Sequence, residues 1–194
     1  MRVLALDPST DITGVAVGEF SPMRLTLLSV HRLHPPPKDA KEGDALTQRF
    51  LRIAHHEDAL KSLVLHNTSS LDGLAYEMHT GRNSIVSNAL SQAAGAYLSS
   101  IISPGMKVWE IQTMTAKAVW GGTRLKSADG KVAVVKWAKG VYGETLASRG
   151  IALSDDDDAI ADAIAVLLAT WKKWRAEEAA KEQLSLIGPR GGKF

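Results

Sequence analysis

Four apolar residues, Val3-Leu4-Ala5-Leu6, run straight into a carboxylate at Asp7, and after Pro8-Ser9-Thr10 a second apolar run gathers around Gly14. So short and continuous a stretch, with turn residues behind it, reads as a buried strand over 2–7. Residues 12–19 read as its hairpin partner. Residues 23–33 follow as a third strand with roughly alternating faces, stopped by Pro35-Pro36-Pro37. A chain that opens this way is committed to a sheet, with Asp7 at the mouth of its first hairpin either as a turn acid or as a chemical group.

The pattern then changes period. From Asp44 to about Val64, Leu46, Phe50, Ile53, Ala54, Leu60 and Leu63 predict an amphipathic helix, imperfect around His55-His56. Residues 71–77 form a short strand that again ends in an acid, Glu77. Asn83 or Ser84 caps a helix running to 102, whose small residues Ala89, Ala93, Ala94 and Gly95 permit close packing on a sheet. Residues 107–111 make a fifth strand, and 113–120 and 128–140 look helical. The last helix starts within or just after Asp155–Asp158 and continues through Trp174 to about Leu184. This order predicts an α/β fold: a mixed five-stranded sheet, three strands antiparallel and two parallel, flanked by helices. One domain is expected over 1–185, with a flexible tail at 186–194.

Composition narrows the chemistry. The 194 residues include no cysteine, which excludes disulfides, thiolate nucleophiles and sulfur-bound zinc. Any metal must be held by oxygen or imidazole. No apolar run reaches membrane-spanning length, so no membrane partner is expected and the cytoplasm is the default compartment. The net charge of +2 does not by itself advertise nucleic acid, although Lys172, Lys173, Arg175, Lys181, Arg190 and Lys193 make the end of the chain basic.

The acids carry the functional argument. If the first and fourth strands lie side by side and parallel, Asp7 and Glu77 stand at the same end of neighbouring strands, outside the carboxyl ends where ligand sites form. Asp158 and Asp162 are four apart and share one helix face. Asp162 sits among Ala161, Ala163, Ile164 and Ala165, and a carboxylate there is costly to bury unless something positive binds it. Asp155–Asp158 have the plainer role of capping a helix start. Convergent carboxylates without sulfur suit Mg²⁺ or Mn²⁺, and two such ions about 4 Å apart can clamp a phosphodiester.

At this point the chain resembles a family. The DPST-D-I-TG-V-AV opening, the acid of AYE and the D-A-I-A-D-A ending look like the RuvC-like Holliday junction resolvases of the RNase H-like superfamily, especially the phage-type branch. The resemblance implies an RNase H-like fold and a homodimer acting on four-way or branched DNA. It implies hydrolysis with two Mg²⁺ per site (Mn²⁺ as substitute) and no small-molecule cofactor. It places Asp7, Glu77, Asp158 and Asp162 as catalytic metal ligands, with Asp155 and Asp157 as alternatives to Asp158. Lys117, Lys126 and Lys131 fall where the family carries lysines near the scissile phosphate. His79 and Arg82 fall in the loop that meets DNA near the crossover.

Other residues have quieter readings. His55-His56, His31 and His34 are expected at the surface, and Trp109 in the core. Trp120 is open to packing or base stacking, and Trp137, Trp171 and Trp174 suit helix packing or dimer contacts. The helix at 84–102 is a candidate dimer element. The rival functions are a broader branched-DNA nuclease, an RNA nuclease of the same superfamily, an actin-like ATP-binding protein, for which the chain is too short, and a non-catalytic DNA-binding module.

Overall fold

A computed structural model describes residues 1–34, 44–67, 71–78, 84–125 and 127–187. Three strands come first: β1 (Arg2–Asp7), β2 (Thr13–Phe20) and β3 (Leu25–Leu33). Helix α1 (Ala45–Asn67), strand β4 (Gly73–Met78), helix α2 (Ser84–Ile101) and strand β5 (Lys107–Gln112) follow. The chain then runs through α3 (Thr113–Ala118), a single 3-10 turn (Gly122–Arg124), α4 (Ser127–Ala147) and α5 (Asp158–Ile187). The strands lie in the order β3-β2-β1-β4-β5. The first three pair antiparallel, and β4 and β5 continue the sheet parallel to β1. This is the mixed sheet expected from the sequence.

The alternation of side chains across a strand explains the unbroken apolar run in β1. Val3 and Ala5 point to one face, where Trp109, Val134, Val135, Ile164 and Leu167 complete a core under α3, α4 and α5. Leu4 and Leu6 point to the other, where Leu60, Ala93 and Tyr97 close a second core under α1 and α2. Both faces are covered, so β1 has no room for a polar residue until its end.

Helix α5 is the central packing element. Ala161 and the run Ala163–Leu167 are all fully buried. Burying large side chains such as Ile164 and Leu167 stabilises the fold by about 1.5–3 kcal/mol each. Two glycines of β2 admit this helix to close range. A Cβ on Gly18 would fall 2.7 Å from Leu167, and one on Gly14 would fall 1.8 Å from the carbonyl oxygen of Ala159.

The structure corrects several expectations. α1 is continuous through His55-His56, and its apolar positions split into two stripes. Ile53, His56 and Leu60 are buried, whereas Leu46, Phe50 and Ala54 face solvent. His56, expected at the surface, is fully buried, and His31 is half-buried; His34 and His55 are exposed. The small-residue face of α2 is used on the chain's own core by Ala89, Ala93 and Ala94, and only Gly95 of that set is exposed. α4 continues to Ala147 and α5 to Ile187. The tail at 188–194 lies outside the described residues, as does Pro35-Pro36-Pro37. Among the described residues no helix is long and apolar enough to cross a membrane.

Candidate active site

The parallel register of β1 and β4 sets the first half of the site. Leu6 lies opposite Tyr76, so Asp7 and Glu77 follow side by side at the carboxyl ends of adjacent strands. Neighbouring strands run about 4.8 Å apart, which brings two carboxylates from residues seventy positions apart to one edge. The second half comes from α5. Its first turn carries Asp158, and Asp162 follows one turn later on the same face.

Two contacts fix where α5 begins. Asp157, just ahead of the helix, accepts hydrogen bonds from the Ser154 amide (2.6 Å) and hydroxyl (2.8 Å) and from Arg32 of β3 (3.0 Å). Burial alone would raise the pKa of Asp157, but the Ser154 donors and the Arg32 guanidinium outweigh it and hold the carboxyl below its ordinary range. Gly14, opposite Asp7 in the hairpin, supplies the second contact by letting the Ala159 carbonyl press against β2. The hairpin and the start of α5 that carry these acids are therefore tied together by direct contacts.

Asp7, Glu77, Asp158 and Asp162 all line a cleft of about 470 Å³, together with Ser9, Asp11, Thr113, Lys117 and Lys131. Among the described residues, Asp162 is the most perturbed group. Burial, then the negative charges of Asp7, Glu77 and Asp158, push its pKa up to about 8, with Lys117 offsetting part of the effect. Lys131 forms an ion pair with Asp158 at 2.6 Å, which raises the lysine pKa. Asp11 at the rim is paired with Arg52 of α1.

The other sequence candidates separate clearly. Asp157 is engaged by Arg32 and Ser154, and Asp155 is almost fully exposed and bound to Lys139. Asp156 is exposed. Of the adjacent aspartates, Asp158 is the one that lines the cleft. His79, Arg82 and Lys126 lie outside the described residues. Trp109 is buried, and Trp120 packs half-buried against the core, with its ring lying over Gly122. Trp137, Trp171 and Trp174 pack against the same core. Sequence reading missed Ser9, Asp11 and Thr113 as cleft residues, and Arg32 and Gly14 as its supports. None of these carries a local signal, since each matters through a contact made across the fold.

The donor set fits a hard divalent cation: carboxylate oxygens from three elements, no sulfur, and a buried acid whose neighbours raise its pKa. Among the described residues, no three acid or imidazole side chains are already converged on one point in ligating geometry. The Lys131 ammonium occupies one side of Asp158.

No protein-family model and no curated protein matches the sequence. Solved structures do. RuvC from Thermus thermophilus in complex with Holliday junction substrate superposes with a TM-score of 0.59 over 87% of this chain and 92% of that one, at 19% identity. The fowlpox virus Holliday junction resolvase superposes with a TM-score of 0.53 over 90% of this chain and 99% of that one, at 11% identity. The chain has the RNase H-like fold of the RuvC-type resolvases. The shared fold takes in 87–90% of this chain and nearly the full length of both neighbours.

Proposed function

We propose that this protein is a divalent-metal-dependent endonuclease that hydrolyses phosphodiesters at four-way DNA junctions and works as a homodimer. One observation carries the reading: Asp7, Glu77, Asp158 and Asp162 line a single cleft with Lys117 and Lys131, in a chain with a resolvase fold. A structural role for these acids would scatter them among partners. Collected in one cleft, the carboxylates repel one another, as the raised pKa of Asp162 records, and a bound divalent cation would relieve that repulsion.

Two Mg²⁺ ions, or Mn²⁺ in their place, would be held by these four carboxylates and would supply an activated water and charge neutralisation at phosphorus. The remaining work belongs to the chain. Asp7 and Glu77 give well-placed oxygens because they sit in the paired carboxyl ends of β1 and β4. Asp158 and Asp162 bring the opposite wall on a helix anchored through Asp157. Asp162, its carboxyl pKa pushed up to about 8 by burial and its acidic neighbours, would give up its proton to a bound cation. Lys117 and Lys131 neutralise the phosphate as negative charge builds on it. Water attacks phosphorus in line, the bond to the leaving oxygen breaks, and that oxygen takes up a proton. His79, Arg82 and Lys126 extend the DNA contact beyond the cleft in this reading.

A homodimer would present two such clefts to the two strands that must be cut. α2 is the proposed contact element, through the outward Ser91, Gln92, Gly95 and Ser99 rather than through its buried alanines. The test is incubation with labelled four-way, three-way, flap and linear DNA and with RNA, in Mg²⁺ or EDTA. Symmetric nicking of the four-way junction supports resolution, and equal cutting of all DNA forms reduces the claim to a general nuclease. Cutting of RNA alone overturns it. Asp7→Asn should abolish cleavage and keep junction binding.

A further inference from the structure

Below the hairpin turn that carries Asp7 lies a buried polar cluster for which the proposed chemistry has no use. His56 of α1 and Thr13 of β2 are fully buried, as is Tyr97 of α2. The Tyr97 hydroxyl donates to the Ser9 carbonyl at 2.8 Å, and the Thr13 hydroxyl donates to the same carbonyl at 3.0 Å. The Ser9 amide donates back to Thr13 Oγ1 at 3.2 Å, and the Asp11 amide donates to Ser9 Oγ at 3.2 Å. His56 Nδ1 sits 3.1 Å from Thr13 Oγ1 and 2.9 Å from the Tyr97 oxygen.

With both hydroxyl hydrogens directed at Ser9, the imidazole hydrogen sits on Nδ1; with one of them turned to Nδ1, it sits on Nε2. In either tautomer Nε2 is buried without a hydrogen-bond partner among the described residues. A second proton on the ring would be stranded, and burial accordingly pushes the His56 pKa down to about 4. The ring is neutral at physiological pH. An orphaned buried nitrogen is costly, and an apolar residue of similar size would fill the core without that cost.

The cluster's reach explains why it is there. Pro8, Ser9, Asp11 and Ile12 form one wall of the acidic cleft, directly after Asp7. α1 holds this wall directly through Arg52 on Asp11 at the rim and indirectly through His56, whose partners Thr13 and Tyr97 both bond the Ser9 carbonyl. We propose that His56 and Tyr97 are positioning residues: a neutral latch between α1, α2 and the Pro8–Asp11 turn that sets the placement of Asp7 in the cleft. Its consequence for cleavage rests on the function proposed above; the latch itself does not.

The experiment pairs two readouts on the full chain. Tyr97→Phe keeps the ring and removes one hydroxyl, His56→Leu removes the imidazole, and His56→Asn restores a polar donor near the place of Nδ1. Hydrogen exchange in metal-free buffer should show the Ser9 and Asp11 amides exchanging about five- to tenfold faster in Tyr97→Phe, with α5 unchanged. Single-turnover cleavage of a four-way junction should slow about tenfold or more in Tyr97→Phe and His56→Leu. The Mg²⁺ concentration for half-maximal rate should rise, junction affinity in EDTA should hold, and His56→Asn should recover most of the rate. Unchanged exchange at Ser9 and Asp11 in Tyr97→Phe, a variant whose fold is retained by its ring, overturns the latch. So does an active wild type whose variants keep its rate and Mg²⁺ dependence. A wild type that cuts no nucleic acid defeats the proposed function instead, and the exchange measurement still decides the latch.

Discussion

Gly14→Ala adds one methyl group and tests whether the hairpin and α5 form one rigid unit. The new Cβ would lie 1.8 Å from the Ala159 carbonyl oxygen and 2.4 Å from its carbon. Both are backbone atoms, so no side-chain rotation relieves the overlap. Ordinary carbon–oxygen contact is ~3.3 Å, so the first turn of α5 must retreat about 1.5 Å from β2. Overpacking of this kind costs roughly 1–3 kcal/mol, or about 3–10 °C in Tm for a chain of this size. The site suffers more than the fold, because Asp158 adjoins Ala159 and Asp162 follows one turn later. A 1 Å misplacement of a catalytic group costs about 100-fold, so cleavage should fall by about 10²–10³. Gly140→Ala is the control: a Cβ there meets nothing within 4 Å, and helix propensity should raise stability by about 0.5–1 kcal/mol with cleavage unchanged. Thermal melts in EDTA and single-turnover cleavage of a four-way junction in Mg²⁺ measure both effects. Wild-type rate and wild-type Tm in Gly14→Ala would show that α5 does not rest on β2 at that contact, and the account of the site would fall with it.

Asp162→Asn should raise the metal-free Tm at pH 8 while abolishing cleavage. The folded pKa of Asp162 is raised from 3.8 to about 8, so the stability tied to its proton is full below pH ~4 and is lost as pH rises through 8. Melts across pH 4–9 in EDTA should show that slope in wild type and its loss in the variant, and Mg²⁺ at pH 8 should stabilise wild type more. His56 works with the opposite sign. Its folded pKa is lowered from 6.5 to about 4 by burial and the nearby His55 and His34, against Ser9 and Asp11, so its contribution is present above pH ~6.5 and lost as pH falls toward 4. That amounts to about 3 kcal/mol, and a flat profile between pH 4 and 6.5 in urea titrations of wild type, compared with His56→Leu, would refute it. Arg32→Leu leaves Asp157 buried without its guanidinium and should cost about 2–4 kcal/mol by denaturant melt; adding Asp157→Asn should recover a large part of it.

The order of elements was legible in the sequence because each has a local cause. The apolar run at Val3–Leu6 needs two covered faces, Pro104-Gly105 ends α2, and the aspartates start α5. The acids Asp7, Glu77 and Asp162 also announced themselves, because a carboxylate at the end of a buried strand or inside an apolar helix is conspicuous without any knowledge of contacts. Only the tertiary structure divided Asp157 from Asp158: the two are chemically identical neighbours, and Arg32, 125 positions away from Asp157, takes one and leaves the other facing the cleft. The same holds for His56. By composition it belongs to an exposed pair, yet the α1 stripe of Ile53 and Leu60 turns it inward to meet Tyr97 and Thr13. Sequence fixes what each residue can donate, accept or bury; which partner satisfies it depends on distances that exist only once the sheet and its helices have packed.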